Sequence, residues 1–219
     1  MLIFKKEPNF SRMNNPLGQL GSLGRLQLPI GLIPEKRKIF VSYHHDNDQY
    51  YYNSLSIFMG TSFVPVQDNS LNRLIDSENP DYVIQRIRDN HISGTSCTIV
   101  LCGSETGLRK HIDWEIKGTL DKEHGLIGIA LPTCKRDFQG KFLVPGRLHD
   151  NIGSGFALFA EWNTLFPPQP LTRGLMSLLP PPLMPLGNNL KYNIDAAAMR
   201  PKTLIINSRE KMKINGVPT

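Results

Sequence analysis

One carboxylate stands out by its setting. Glu115 lies in Lys110-His111-Ile112-Asp113-Trp114-Glu115-Ile116, which follows the apolar run Cys97-Thr98-Ile99-Val100-Leu101-Cys102. The run predicts a buried parallel strand, and Gly103-Ser104-Glu105-Thr106-Gly107 predicts a loop lifting the chain off its C-terminal end. Glu115 then falls early in the following helix, beside the crevice where open α/β sheets bind ligands. A carboxylate there can act on a bound nucleotide. Ser42, Tyr43, His44 and Ser104 fall at the C-terminal ends of the first and third strands, where contacts to phosphate, ribose or base are expected. His111 shares Glu115's helix face, four residues away. Trp114 is expected beside the ligand, either stacking on it or supporting the pocket wall.

Other polar groups point elsewhere. His44-His45 with Asp46 and Asp48 imitates a metal site, but adjacent histidines suit no standard ligand geometry, so capping and solvation are the expected roles. Asp113 and Lys117 predict an i,i+4 pair that stabilises by about 0.3 kcal/mol. The loop after the third strand lacks the GK[ST] ending of a phosphate-binding P-loop. No G-x-G-x-x-G follows strand one, which argues against a hydride-transferring dehydrogenase.

The elements that position these groups follow from apolar periodicity. Lys38–Tyr43 reads as a first strand, and a helix from about Gln49 to Met59 ends at Gly60. Thr61–Val66 reads as a second strand, placed at an edge or strand end by Pro65. Asn79-Pro80-Asp81 opens a helix carrying Val83, Ile84, Ile87 and Ile92 at helical spacing. Thr98–Cys102 is strand three, Gly125–Leu131 strand four, stopped by Pro132, and Phe156–Trp162 a candidate fifth. Strands alternating with helices imply a mainly parallel, doubly wound five-stranded α/β sheet. Residues 1–36, with Pro8, Pro16, Pro29 and Pro34, read as an irregular extension, and 37–166 as the domain. Residues 167–219 form a proline-rich, basic C-terminal extension, with a short helix possible at Leu171–Leu179 and a β-like Thr203-Leu204-Ile205-Ile206.

Composition fits a soluble globular protein: 219 residues, 40% hydrophobic and 20% charged. No apolar stretch approaches the ~20 residues of a membrane span. The first residues lack the charged-then-apolar order of a secretory signal, so the expected location is the cytoplasm. The net charge of +6 sits on the flanks; residues 39–199 carry thirteen basic against sixteen acidic side chains, which argues against specific nucleic-acid binding. Three cysteines, Cys97, Cys102 and Cys134, are too few and scattered for a disulfide framework or zinc site, and Cys97 and Cys102 should point to opposite sheet faces.

Ile39-Phe40-Val41-Ser42-Tyr43, Thr98–Gly103, Glu105-Thr106, Ile112-Asp113-Trp114-Glu115-Ile116 and Gly125–Ile129 occur in an order and spacing that resemble the TIR-like family, which includes the Thoeris antiphage-defence TIR proteins. The resemblance spans about residues 37–165 and leaves out both extensions. It implies a flavodoxin-like, TIR-like fold and an enzyme that cleaves the nicotinamide–ribose bond of NAD+. The products would be nicotinamide and an ADP-ribose signal, which the residues leave open as linear, cyclic or conjugated. The family's catalytic glutamate maps onto Glu115, while His111 departs from the aromatic, commonly tryptophan, usual there. NAD+ would then be substrate, with no cofactor and no metal, and the implied partners are NAD+, further copies of the chain and a downstream effector reached by the diffusible product. The chemistry suits the residue types as well. Loss of nicotinamide leaves an oxocarbenium-like ribose, which an ionised carboxylate stabilises. Two other readings stay open: a non-catalytic TIR-like interaction or nucleotide-sensing module docking partners through the proline-rich tail, and an enzyme acting on another nucleoside's glycosidic bond, such as a deoxyribosyltransferase.

Overall fold

The computed structural model describes residues 36–60, 63–67, 79–167 and 186–216. The irregular reading of residues 1–35 and the Leu171–Leu179 helix lie outside the described residues. Five strands, β1 (Arg37–Ser42), β2 (Phe63–Gln67), β3 (Thr95–Cys102), β4 (Gly125–Ala130) and β5 (Leu158–Glu161), form one sheet in the order β2-β1-β3-β4-β5. Every pairing is parallel, with Val41 beside Ile99 and Ile99 beside Ile127 at the centre. β2 sits at the edge, as its Pro65 requires of a residue without an N–H.

Successive strand residues face opposite ways, which divides the core in two. Ile39, Val41, Cys97, Ile99, Leu101, Ile127 and Ile129 face α1 (His45–Met59), α5 (Trp162–Leu165) and α6 (Leu186–Ala198). On the other side, Phe40, Val100, Cys102 and Leu126 meet α2 (Pro80–Ile87), α3 (Lys110–Asp121) and α4 (Gly146–Gly153). Cys97 and Cys102 thus lie on opposite faces, both fully buried. α1 begins where the chain leaves β1, because the His44 ring accepts from the Asn47 N–H (3.2 Å). α2 is capped by Asn79, whose carboxamide accepts from the Asp81 N–H (3.0 Å), with Pro80 in the first turn.

The C-terminal residues take part in this packing. Leu190, Ile194 and Ala197 of α6 join the core. The fit is close: a Cβ on Gly125 of β4 would stand 2.7 Å from the Ala197 carbonyl carbon, so only glycine lets the helix approach there. The β-like Thr203–Ile206 forms no strand. Lys202–Leu204 is a 3₁₀ turn, and Ile206 pairs with a side chain instead: Asn151 accepts from its N–H (3.1 Å) and donates to its carbonyl (2.7 Å). Among the described residues, no helix is long and apolar enough to cross a membrane.

Candidate active site

In a sheet ordered 2-1-3-4-5 the helices leave β1 and β3 toward opposite faces, opening a crevice between their carboxyl ends. A cleft with a cavity volume of about 140 Å³ lies there, lined by residues that include Tyr43, His44, His45, Arg109, His111, Glu115 and Asn215.

Glu115 is 6% exposed yet reaches the cleft. The Ser42 hydroxyl, fully buried at the end of β1, donates to Glu115 Oε2 at 2.5 Å. This joins β1 to α3 and fixes the carboxylate's orientation. The Glu115 carbonyl accepts from Thr119 Oγ1 (2.9 Å), whose hydroxyl also meets Thr98 on β3 (2.7 Å), so the helix is tied to the strand before it.

The other walls come from β1 and α3. Tyr43 stacks on Tyr52 with ring centroids 4.6 Å apart, lies 4.3 Å from the His45 ring, and donates its hydroxyl to Gln49 (2.9 Å). Burial, with Tyr52 next in effect, pushes the Tyr43 phenol up to about 12. His44 is held below the usual histidine range, first by burial and then by the Arg109 guanidinium. Its Nδ1 accepts the capping bond, so the neutral ring carries its proton on Nε2. Arg109 precedes α3 and pairs with Glu105. Among the described residues, no three His, Cys, Asp or Glu side chains converge to hold a metal ion.

The expected site residues therefore separate. Glu115, Tyr43, His44 and His111 line the cleft, and Ser42 stands behind them on Glu115. Ser104 is half-buried and does not line it. Trp114, expected as a substrate contact, does not either. It is 2% exposed among Phe40, Val83, Ile84, Ile87 and Ile92, because the helix turns it toward α2, and its Nε1–H donates to the Met212 carbonyl (2.9 Å). Its ring meets His111 edge-on at 5.2 Å, so it backs the wall. The Asp113–Lys117 pair is likewise replaced. Asp113 is bound by the fully buried Arg147 (3.0 Å) and by the Met212 N–H (3.0 Å), while Lys117 pairs with Asp121 (3.0 Å).

Asp48, expected to be a solvated capping residue, is fully buried. It accepts from Thr106 (3.3 Å), and Thr106 accepts from the Gly103 N–H (2.8 Å), which binds the loop after β3 to α1. A Cβ on Gly103 would stand 2.3 Å from both carboxylate oxygens, so glycine makes room for Asp48. Burial raises the Asp48 carboxyl to about 6.

Residues not singled out in the sequence complete the cleft. Arg109 had a usable signal, since it ends the loop after a central strand. Asn215 had none. It belongs to a strap that runs from Ile205 back across α4 and α3. Arg147 of α4 donates to the Asn207 side chain (2.8 Å) and to the Arg209 (3.0 Å) and Glu210 (3.1 Å) carbonyls, and Arg209 clasps Asp150 with two bonds of 2.9 Å. Farther on, Asn215 Oδ1 accepts from the Lys110 N–H (2.9 Å), and the Gly216 N–H donates to the Leu108 carbonyl (2.8 Å).

Residues 40–136 match the family model described as Thoeris protein ThsB, TIR-like domain. No curated protein matches the chain. The matched span holds Ser42, Glu115 and most of the cleft, and it ends before α4, β5, α6 and the strap.

Proposed function

We propose that this chain, whose residues 40–136 match the Thoeris ThsB TIR-like domain model, acts in antiphage defence by cleaving the nicotinamide–ribose bond of NAD+. The products are nicotinamide and an ADP-ribose-derived signal, linear, cyclic or conjugated. One observation carries the reading: a buried carboxylate, Glu115, reaches the polar cleft at the β1/β3 switch point while accepting a hydrogen bond from Ser42. As nicotinamide departs, positive character grows on the ribose, and a fixed negative group in a dry setting stabilises that transition state more than the ground state. The leaving group is neutral, so the reaction calls for no metal. Arg109, with His44, His45 and His111 around the same cleft, suits the diphosphate. In the same reading the protein works in the cytoplasm, and it self-associates as its family resemblance implies.

The test offers NAD+ and free nucleosides in parallel to wild-type and Glu115→Gln protein, purified and in phage-challenged cells, with products followed by mass spectrometry. The expected result is nicotinamide release by the wild type, reduced about 10²–10³-fold in Glu115→Gln with an unchanged melting temperature. Robust turnover by Glu115→Gln overturns the assignment. Cleavage of free nucleosides in place of NAD+ moves the activity to nucleoside glycosyl transfer. Intact defence in Glu115→Ala without NAD+ loss identifies a binding module.

A further inference from the structure

The first turn of α3 is not capped by its own neighbour. Arg109, at the N-cap position, makes no capping bond through its side chain, and the Lys110 N–H is instead taken by Asn215, 105 residues further along the chain. Asn215 also lines the cleft, although it lies 79 residues past the end of the family match at residue 136. Its backbone is pinned on both sides, by the Met212 N–H on Asp113 (3.0 Å) and the Gly216 N–H on the Leu108 carbonyl (2.8 Å). With Oδ1 committed to Lys110, the carboxamide plane is fixed and its NH₂ end is a donor only.

We infer that Asn215 is a specificity-determining residue of the cleft, donating through its NH₂ to an oxygen-rich group of the ligand, a phosphate or a ribose hydroxyl. The inference rests on the cleft being a nucleotide site and adds a contact from outside the matched domain. Arg109 and His45 line the same space, so the cleft holds donors together with Glu115 as an acceptor. Asn215 has two separable tasks: its oxygen holds the start of the helix that carries Glu115, and its nitrogen reads the ligand.

Substitution by aspartate divides these tasks. Asp at 215 still accepts from Lys110, and its charge suits a helix N-terminus, but it cannot donate and repels phosphate. ADP-ribose, which has no nicotinamide to lose, is titrated by calorimetry into wild-type, Asn215→Asp and Asn215→Ala full-length protein, with amide hydrogen exchange at Lys110 as the second readout. Asn215→Asp is expected to keep the wild-type melting temperature and Lys110 protection while binding ADP-ribose about tenfold more weakly or worse. Asn215→Ala is expected to lose both affinity and protection. Wild-type affinity in Asn215→Asp overturns the inference. So does an affinity loss that appears only together with lost Lys110 protection, and so does a wild-type protein that does not bind ADP-ribose. Cleavage of NAD+ with indifferent Asn215 variants removes this inference alone. Asn215-dependent ADP-ribose binding without NAD+ cleavage removes only the proposed reaction.

Discussion

Glu115 is 6% exposed, and the Ser42 hydroxyl donates to its carboxylate. Ser42→Ala removes that donor and leaves a buried acceptor short of a bond. NAD+ cleavage should fall about 10–100-fold and stability by about 1–2 kcal/mol, readable from steady-state rates and urea unfolding; an unchanged rate would detach Ser42 from the chemistry. Asp48 gives a pH signature. Its folded carboxyl sits near 6 against an ordinary 3.8, so the neutral form is the one folding favours. Its contribution to stability is fully present below about pH 4 and is lost as pH rises through 6. Asp48→Asn removes this titration. The stability of the wild type relative to Asp48→Asn should therefore drop by on the order of 2 kcal/mol between pH 4 and pH 7.5, and a flat difference would contradict the raised value. Glu115 and Ser42 were legible in the sequence because both follow from strand ends. Asp48 was not, since a capping loop and a buried carboxylate share the same polar spelling until Gly103 is seen to make room.

Between elements, Arg147 of α4 is fully buried and binds Asp113 of α3 and the strap's carbonyls. Arg147→Met should destabilise by about 3–5 kcal/mol by leaving Asp113 buried without its cation, and a paired Asp113→Leu should recover part of the loss; chemical denaturation of the two variants checks both. Gly125→Ala tests the other face, where it should cost about 1–3 kcal/mol by driving α6 off β4. Strand three was readable over Thr98–Cys102 from its β-branched apolar run, though the structure begins it at Thr95, and α2 was readable from Asn79-Pro80. Thr203–Ile206 misled because its propensity is strand-like, whereas Leu204 and Ile205 donate to the Pro201 and Lys202 carbonyls in a 3₁₀ turn and Ile206 alone pairs with the Asn151 carboxamide.

At the scale of the molecule, the matched segment and the cooperative unit differ. A fragment covering residues 40–136 would lack β5, leave β4 with a bare edge and lose α6 from the Ile127–Ile129 face. It is expected to show no cooperative thermal transition, while residues 36–219 unfold in one step by calorimetry; a cooperative melt of the short fragment would contradict this packing account. Sequence patterns reached the fold because each strand and helix advertises itself locally, but the closure of the cleft is a long-range event between Lys110 and Asn215 that no local pattern records. A ribosome making this chain must add 105 residues after Lys110 before the partner of that amide exists. Domains form progressively from the first residues synthesised, so the nascent protein passes through a stage with its sheet in place and its binding pocket still unfinished. Whatever depends on the completed cleft is thereby withheld until Asn215 has been made.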